Sequence, residues 1–134
     1  MTDLERARKV FMTTTFATEQ AGCVIEAVAD GYAKCSMAVT PRHMNSLGVC
    51  MGGAIFTLAD FAFGIASNFD RDVFVSSAAD IHFITPGTGK ILYAEARQVR
   101  AGRRTCLFAV TVTDETGAQV AYVTVSGVKV RERK

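Results

Sequence analysis

The chain has 134 residues, 49% of them hydrophobic and 21% charged, which suits one globular domain with a real core and excludes a disordered tail or a charged linker. Fifteen Lys+Arg against thirteen Asp+Glu leave a net charge of +2, too little for the basic stripe of a nucleic-acid binder. Cys23, Cys35, Cys50 and Cys106 form no CxxC pair and share no metal spacing with a histidine, so neither a zinc site nor a secreted disulfide scaffold is expected. No apolar signal segment opens the sequence, and the expectation is a cytoplasmic protein with free, buried thiols.

Residues 3–16 read as an amphipathic helix, with Thr2 and Glu5 as a capping box and Leu4, Ala7, Val10 and Phe11 on its apolar side. Cys23–Ala29 reads as a strand, Asp30-Gly31 as a tight turn, and Tyr32–Val39 as the returning strand. An irregular loop, Pro41–Met51, leads into the most apolar part of the chain. His43–Phe69 is 27 residues long and carries one formal charge, at Asp60. A membrane span is rejected, because Asp60 lies near the middle, Gly48, Gly52, Gly53 and Gly64 interrupt the run, and its ends are polar. The segment predicts instead a buried helix from about Gly53 to Ser67, with Asn68 as its end signal.

The remainder is β. Val73–Phe83 is a strand closed by Pro86-Gly87. Ile91–Val99 alternates Leu92, Ala94 and Ala96 against Tyr93, Glu95 and Arg97. Ala101-Gly102 turns into Thr105–Thr113, where Cys106, Phe108, Val110 and Val112 share a face, and Glu115-Thr116-Gly117 turns into Ala118–Val130. The layout predicts an α+β domain over residues 1–134, with an antiparallel β-sheet wrapped around one long central helix. Ile55, Leu58, Ala59, Ala62 and Ile65 are expected to face the sheet. Phe56, Asp60 and Phe63 then point away from it, and a second subunit is the economical cover for that face.

Asp60 is the outlier. A carboxylate in an apolar helix is costly unless paired or neutral, and burial without a cation raises its pKa, which suits a general base or nucleophile. The alternative is that it hydrogen-bonds a neighbouring loop. Gly52-Gly53 opens the same helix, where free N–H groups backed by the helix dipole can hold an oxyanion, or where two glycines simply make a loop-to-helix junction. Asp60 lies about 11 Å further along the axis, so one helix cannot bring both to one carbonyl, whereas two packed subunits can. Asn45 either donates to a carbonyl or shapes its turn. Ser76 and Ser77 interrupt an apolar strand, and either hydroxyl could orient Asp60 or a water. His43 and His82 read as surface or supporting residues without a nucleophile motif beside them. Cys50 reads as a buried inert thiol rather than a thiolate. Arg97, Arg100, Arg103 and Arg104, and the tail Lys129, Arg131, Arg133 and Lys134, could hold phosphates or be solvated strand ends.

The stretch Asn45-Ser-Leu-Gly48-Val-Cys-Met-Gly52-Gly53-Ala-Ile-Phe-Thr-Leu-Ala-Asp60 resembles the signature of hotdog-fold acyl-CoA thioesterases of the phenylacetate-degradation (PaaI-like) type. The resemblance extends through Asp80-Ile-His-Phe-Ile-Thr-Pro86-Gly87, the Gly102-Arg103 turn and the Val120-Ala121 strand, over roughly residues 20–130. It implies a hotdog fold and hydrolysis of acyl-CoA thioesters, with CoA as part of the substrate and no metal or other cofactor. It implies Asp60 as base or nucleophile, the Gly52 amide polarising the carbonyl, Asn45 placing the carbonyl or the water, and Ser76 orienting water or carboxylate. Met51, Gly53, Phe56, Phe63 and Ser77 would line the acyl site, with Arg103 or Arg104 near the CoA phosphates. Asp60 would face the Asn45 and Gly52 of a second subunit, in a homodimer or dimer-of-dimers tetramer. Met51 stands where the family has His, and a thioether neither donates a hydrogen bond nor carries a proton. A hotdog hydratase or dehydratase and a non-catalytic acyl-CoA binder are the rival readings.

Overall fold

A computed structural model describes residues 1–133, so the tail reading at Lys134 lies outside the described residues. Helix α1 spans Asp3–Phe11, and the Thr2–Glu5 capping box forms. The helix stops five residues before the expected end. Thr13, Thr14 and Thr15 follow it in a row, and β-branched hydroxyl residues compete with helix by bonding the backbone. Thr13 Oγ1 does so, donating to the Val10 carbonyl at 2.7 Å. A short π-helical turn, Phe16–Gln20, takes over. Val10, expected on the apolar side, is exposed; Ala7 is the residue of α1 that is fully buried.

Strands β1 (Cys23–Ala29) and β2 (Tyr32–Ala38) form a hairpin around Asp30-Gly31, with Gly31 at φ +68° as this two-residue turn requires. Helix α2 spans Gly52–Asn68, one residue longer at each end than expected. β3 (Val73–Phe83), β4 (Ile91–Ala101), β5 (Thr105–Asp114) and β6 (Gln119–Arg131) follow. β4 outruns its expected end at Val99 because a register shift between Gln98 and Arg100 absorbs that residue without ending the pairing. All pairs are antiparallel, in the order β1-β2-β4-β5-β6-β3, so β3 is an edge strand.

The sheet wraps α2, which touches every strand. Ile55, Leu58, Ala59, Ala62 and Ile65 are buried, as expected, against Ile25, Met37, Leu92, Phe108, Val110 and Val123. Each fully buried side chain of the Leu or Ile class contributes about 1.5–3 kcal/mol. Phe63 is a correction. It does not point away from the sheet: it is 2% exposed and meets Phe108 edge-on, ring centroids 5.6 Å apart. Helix geometry explains this, since Phe63 follows Ala59 by one turn on the sheet-facing side. At 17 residues, α2 falls short of a membrane span, and no other helix among the described residues is long and apolar enough.

Asn68 ties the end of α2 to the start of β3. Its Oδ1 accepts the Phe74 N–H at 2.7 Å, and its Nδ2 donates to the carbonyls of Phe74 (3.1 Å) and Gly64 (2.9 Å). The side-chain amide thus acts as one more rung of strand. Asn68→Ala orphans these half-buried groups, and a loss of about 1–3 kcal/mol in unfolding free energy is expected, read as a lower urea midpoint at unchanged slope.

Candidate active site

Gly53, Thr57, Asp60 and Gly64 form an exposed to half-exposed stripe along α2, flanked by Phe56. These positions are spaced by three or four, one helix face, and they are what the wrapped sheet leaves uncovered. Asp60 reaches solvent in the single chain, so the sequence expectation of a buried acid is corrected for one copy. Its carboxylate still has no cation or hydrogen-bond donor among the described residues. Partial burial among apolar neighbours pushes its pKa above the usual carboxylate value. It lines a cleft of about 310 Å³ together with Phe63, Asn68, Ser76 and, from α1 and the segment after it, Phe11 and Thr14.

Ser76 reaches that cleft beside a β-bulge. Ser76 pairs with Gly127 and Ala78 with Ser126, which leaves Ser77 as the extra residue, its hydroxyl donating to the Ser126 carbonyl at 3.2 Å. The bulge re-aims the strand at this point. Of the two serines, Ser76 therefore joins Asp60, and Ser77 is used to hold the bulge. Phe63 contributes an edge to the same cleft while its ring stays in the core.

The N-terminal end of α2 is a second locus. Met51 precedes the helix with extended backbone (φ −63°, ψ 139°) and supplies no side-chain cap. The N–H groups of Gly52 and Gly53 donate to nothing among the described residues, whereas those of Ala54 and Ile55 turn back to the Met51 carbonyl. Two amides at the positive end of a helix dipole are therefore open. Gly52 lies in a groove of about 470 Å³ with Cys50, Ile55, Phe83 and Pro86. A Cβ at Gly52 would come within 2.9 Å of Phe83 Cζ, so the glycine lets the ring close over the helix start. Gly53 and Met51 open instead onto a neighbouring groove beside Phe16 and Thr57, and Met51 is 54% exposed there.

Asn45 is exposed, and its Oδ1 is occupied by the N–H groups of Leu47 (2.9 Å) and Val49 (3.3 Å). Its amide NH₂ has no acceptor among the described residues and is the end that could reach a ligand. Arg103 and Arg104 line a separate groove with Val128, Lys129 and Glu132, which shares no residue with the Asp60 cleft. Arg97 is committed to Glu95 at 2.9 Å and lies over the Tyr32 ring. Burial pushes all four thiols up, that of Cys23 to about 12, which makes them inert core filler and agrees with the reading of Cys50. His82 is exposed. His43 is buried at 9% exposure, which drops the surface alternative for it and leaves the supporting one.

One copy thus brings Asp60, at the middle of α2, together with Ser76, and Gly52, at the start of the helix, together with Phe83. Phe11, Thr14, Asn68 and Phe83 escaped the sequence reading. Phe83 alone had a signal, the Phe-x-x-Pro that precedes Gly87.

A curled antiparallel sheet around a single long helix, with an acid and open amides on that helix, is the hotdog architecture of thioester hydrolases. Residues 47–121 match the model of the Thioesterase superfamily. The acyl-coenzyme A thioesterase PaaI of Escherichia coli is 34% identical over 101 residues, 75% of this chain and 72% of that protein. The solved E. coli PaaI structure superposes with a TM-score of 0.90 at 25% identity, covering 97% of this chain and 95% of that one. A hypothetical thioesterase protein of Streptococcus pneumoniae, solved with coenzyme A, gives a TM-score of 0.85 at 25% identity over 95% and 99% of the two chains. An Archaeoglobus fulgidus protein is 36% identical over 93 residues; this is 69% of the present chain, which spans only 60% of that relative. The chain belongs to the thioesterase superfamily, as a PaaI-like hotdog thioesterase.

Proposed function

We propose that the protein hydrolyses acyl-CoA thioesters to a free acid and CoA, at sites that each combine Asp60 of one subunit with Asn45 and Gly52 of another. The observation that carries this reading is the free stripe of α2. Gly53 and Asp60 are seven residues apart on one helix face, with only Thr57 between them. Two such helices packed antiparallel set the acid of each against the open amides of the other. Small residues at Gly53 and Gly64 permit the close approach. The edge strand β3 supports the same pairing, since it leaves Val75 and Phe83 exposed and its outer backbone without a neighbour. A homodimer, alone or doubled into a tetramer, is therefore part of the proposal.

In this site the amides of Gly52 and Gly53 receive the thioester oxygen and stabilise the charge that develops on it. Ser76 and the Asn45 amide position the carbonyl or the water. Asp60 takes a proton from water as the water oxygen bonds to the acyl carbon; the C–S bond then breaks and the proton passes to the CoA sulfur. In the alternative route the carboxylate itself attacks, releases CoA and leaves a mixed anhydride that water opens. Both routes use side chains, backbone amides and water, and require no metal or further cofactor. Phe56 and Phe63 would flank the acyl group, and Arg103 or Arg104 would meet the CoA phosphates of the assembled site. The CoA found in the streptococcal structure and the activity named for E. coli PaaI support an acyl-CoA ligand. Reduced, buried thiols and a CoA substrate fit a cytoplasmic location.

The test is free-thiol release from a panel of acyl-CoAs. Release from at least one, abolished in an Asp60 variant, is expected. Binding of acyl-CoA without release from any would turn the assignment toward a non-catalytic binder.

A further inference from the structure

We propose that His43 is a positioning residue for the Gly52–Gly53 amide pair, acting as a buried strut that fixes where the start of α2 points. The inference rests on the thioesterase reading of that helix end and adds to it a residue outside the substrate-contacting set.

The imidazole is used on both sides. Nδ1 lies 3.0 Å from the Thr40 backbone N–H, which can only donate, so Nδ1 accepts. The ring proton is then on Nε2, which donates to the Ala21 carbonyl at 2.6 Å. One tautomer is thus imposed by the surrounding backbone. The ring bolts the loop preceding α2 onto the turn that precedes β1, two segments 22 residues apart in the chain.

The main chain of His43 carries the second half of the argument. Its carbonyl accepts the Met51 N–H at 2.7 Å, and Met51 is the residue from which α2 starts. Between them, Met44 and Cys50 form an isolated antiparallel bridge, and the Asn45 N–H donates to the Val49 carbonyl at 2.9 Å. Residues 43–51 are therefore a closed ribbon. His43 stands at its base, Asn45 at its bend, and Gly52 follows its returning arm. The returning arm is also tied to backbone on the β-sheet side, the Cys50 N–H donating to the Gly87 carbonyl at 2.9 Å. The ring fixes the outgoing arm against that anchor, and a shift of the ring is felt at both Asn45 and Gly52. A displacement of about 1 Å at such donors costs on the order of 10²-fold in rate.

The expected result is a split between turnover and binding. His43→Ala lowers kcat on the best acyl-CoA by about 10–100-fold while KM stays within about threefold, because oxyanion stabilisation is lost and ground-state binding is not. His43→Gln carries its Nε2 to the place of the imidazole Nε2, keeps the donor to Ala21, and recovers most of kcat. His43→Asn keeps the Thr40 side of the strut but cannot reach Ala21, so it behaves like Ala. Assays run well below each variant's melting midpoint keep folding out of the comparison. Should His43→Ala fail to fold, the Asn and Gln pair decides alone. Wild-type kcat in His43→Ala or His43→Asn would overturn the proposal. So would a rise in KM at constant kcat, a loss that merely follows the folded fraction, or equal impairment of Asn and Gln. If wild type turns over no acyl-CoA, the thioesterase reading fails. The strut is then judged from the ¹H–¹⁵N resonances of Gly52 and Gly53: displacement in His43→Asn and return in His43→Gln supports it, and unmoved resonances refute it.

Discussion

Asp60→Asn is expected to lower kcat on an acyl-CoA by about 10²–10⁴-fold with little change in KM, the range lost when a positioned general base is removed. Asparagine matches the shape of aspartate and cannot take a proton or attack a carbonyl. Equal thiol release by variant and wild type would remove Asp60 from the chemistry. The pH dependence gives an independent readout. Burial raises the Asp60 pKa, and under the proposed mechanism the ionised form is the active one. Wild-type kcat/KM therefore falls as pH drops through a value above the ordinary carboxylate range, and the residual rate of Asp60→Asn lacks that limb.

The same residue makes an opposite prediction for stability. Between the unfolded pKa, about 4, and the raised folded one, the folded state holds more protons than the unfolded. Stability falls as pH rises through that window, and the loss persists at neutral pH. Asp60→Asn is thus expected to melt above wild type at pH 7 and level with it below pH ~4. A functional carboxylate that costs stability yields this crossing of activity and melting point; one held by a structural hydrogen bond would reverse the melting order.

The sheet was legible because its strands alternate. Leu92, Ala94 and Ala96, and Cys106, Phe108, Val110 and Val112, are all buried on the helix side as their period demands. Asp60 was legible as one charge in an apolar run. The misreadings have separate causes. Val10 was placed by helical period alone, which gives the angle around a helix and not how much of it is covered, and Phe63 was set apart from Ala59 although it lies one turn on along the same buried face. His43 could not be settled between surface and supporting, because the Thr40 N–H and the Ala21 carbonyl are backbone partners that leave no trace in residue identity; only the Thr40 hydroxyl, 3.0 Å from Nδ1, carried a side-chain signal. Residue type alone left Ser76 and Ser77 equivalent, and only the resemblance singled out Ser76, since a bulge is a property of two paired strands. Phe11 and Thr14 reach Asp60 only through tertiary packing of α1.

Gly52→Pro is expected to reduce kcat by about 10²–10³-fold, the loss typical of one oxyanion-hole donor, while the fold survives. Proline removes the Gly52 N–H and nothing else the helix uses, because that amide has no acceptor among the described residues. The first helical position tolerates proline, and Met51 already has the extended backbone that a following proline requires. The added atoms meet the outer tip of the Phe83 ring, a side-chain end rather than backbone, and circular dichroism and the elution volume of Gly52→Pro check that fold and dimer persist. This variant then tests whether the site is shared. In a dimer with Asp60 from one subunit and Gly52 from the other, Gly52→Pro and Asp60→Asn subunits each lack a different half. Their mixed dimer has one doubly damaged site and one intact site. Random 1:1 exchange of the two inactive proteins should restore about one quarter of wild-type activity, since half the dimers are mixed and each carries one working site of two. A site built within one chain would recover nothing on mixing.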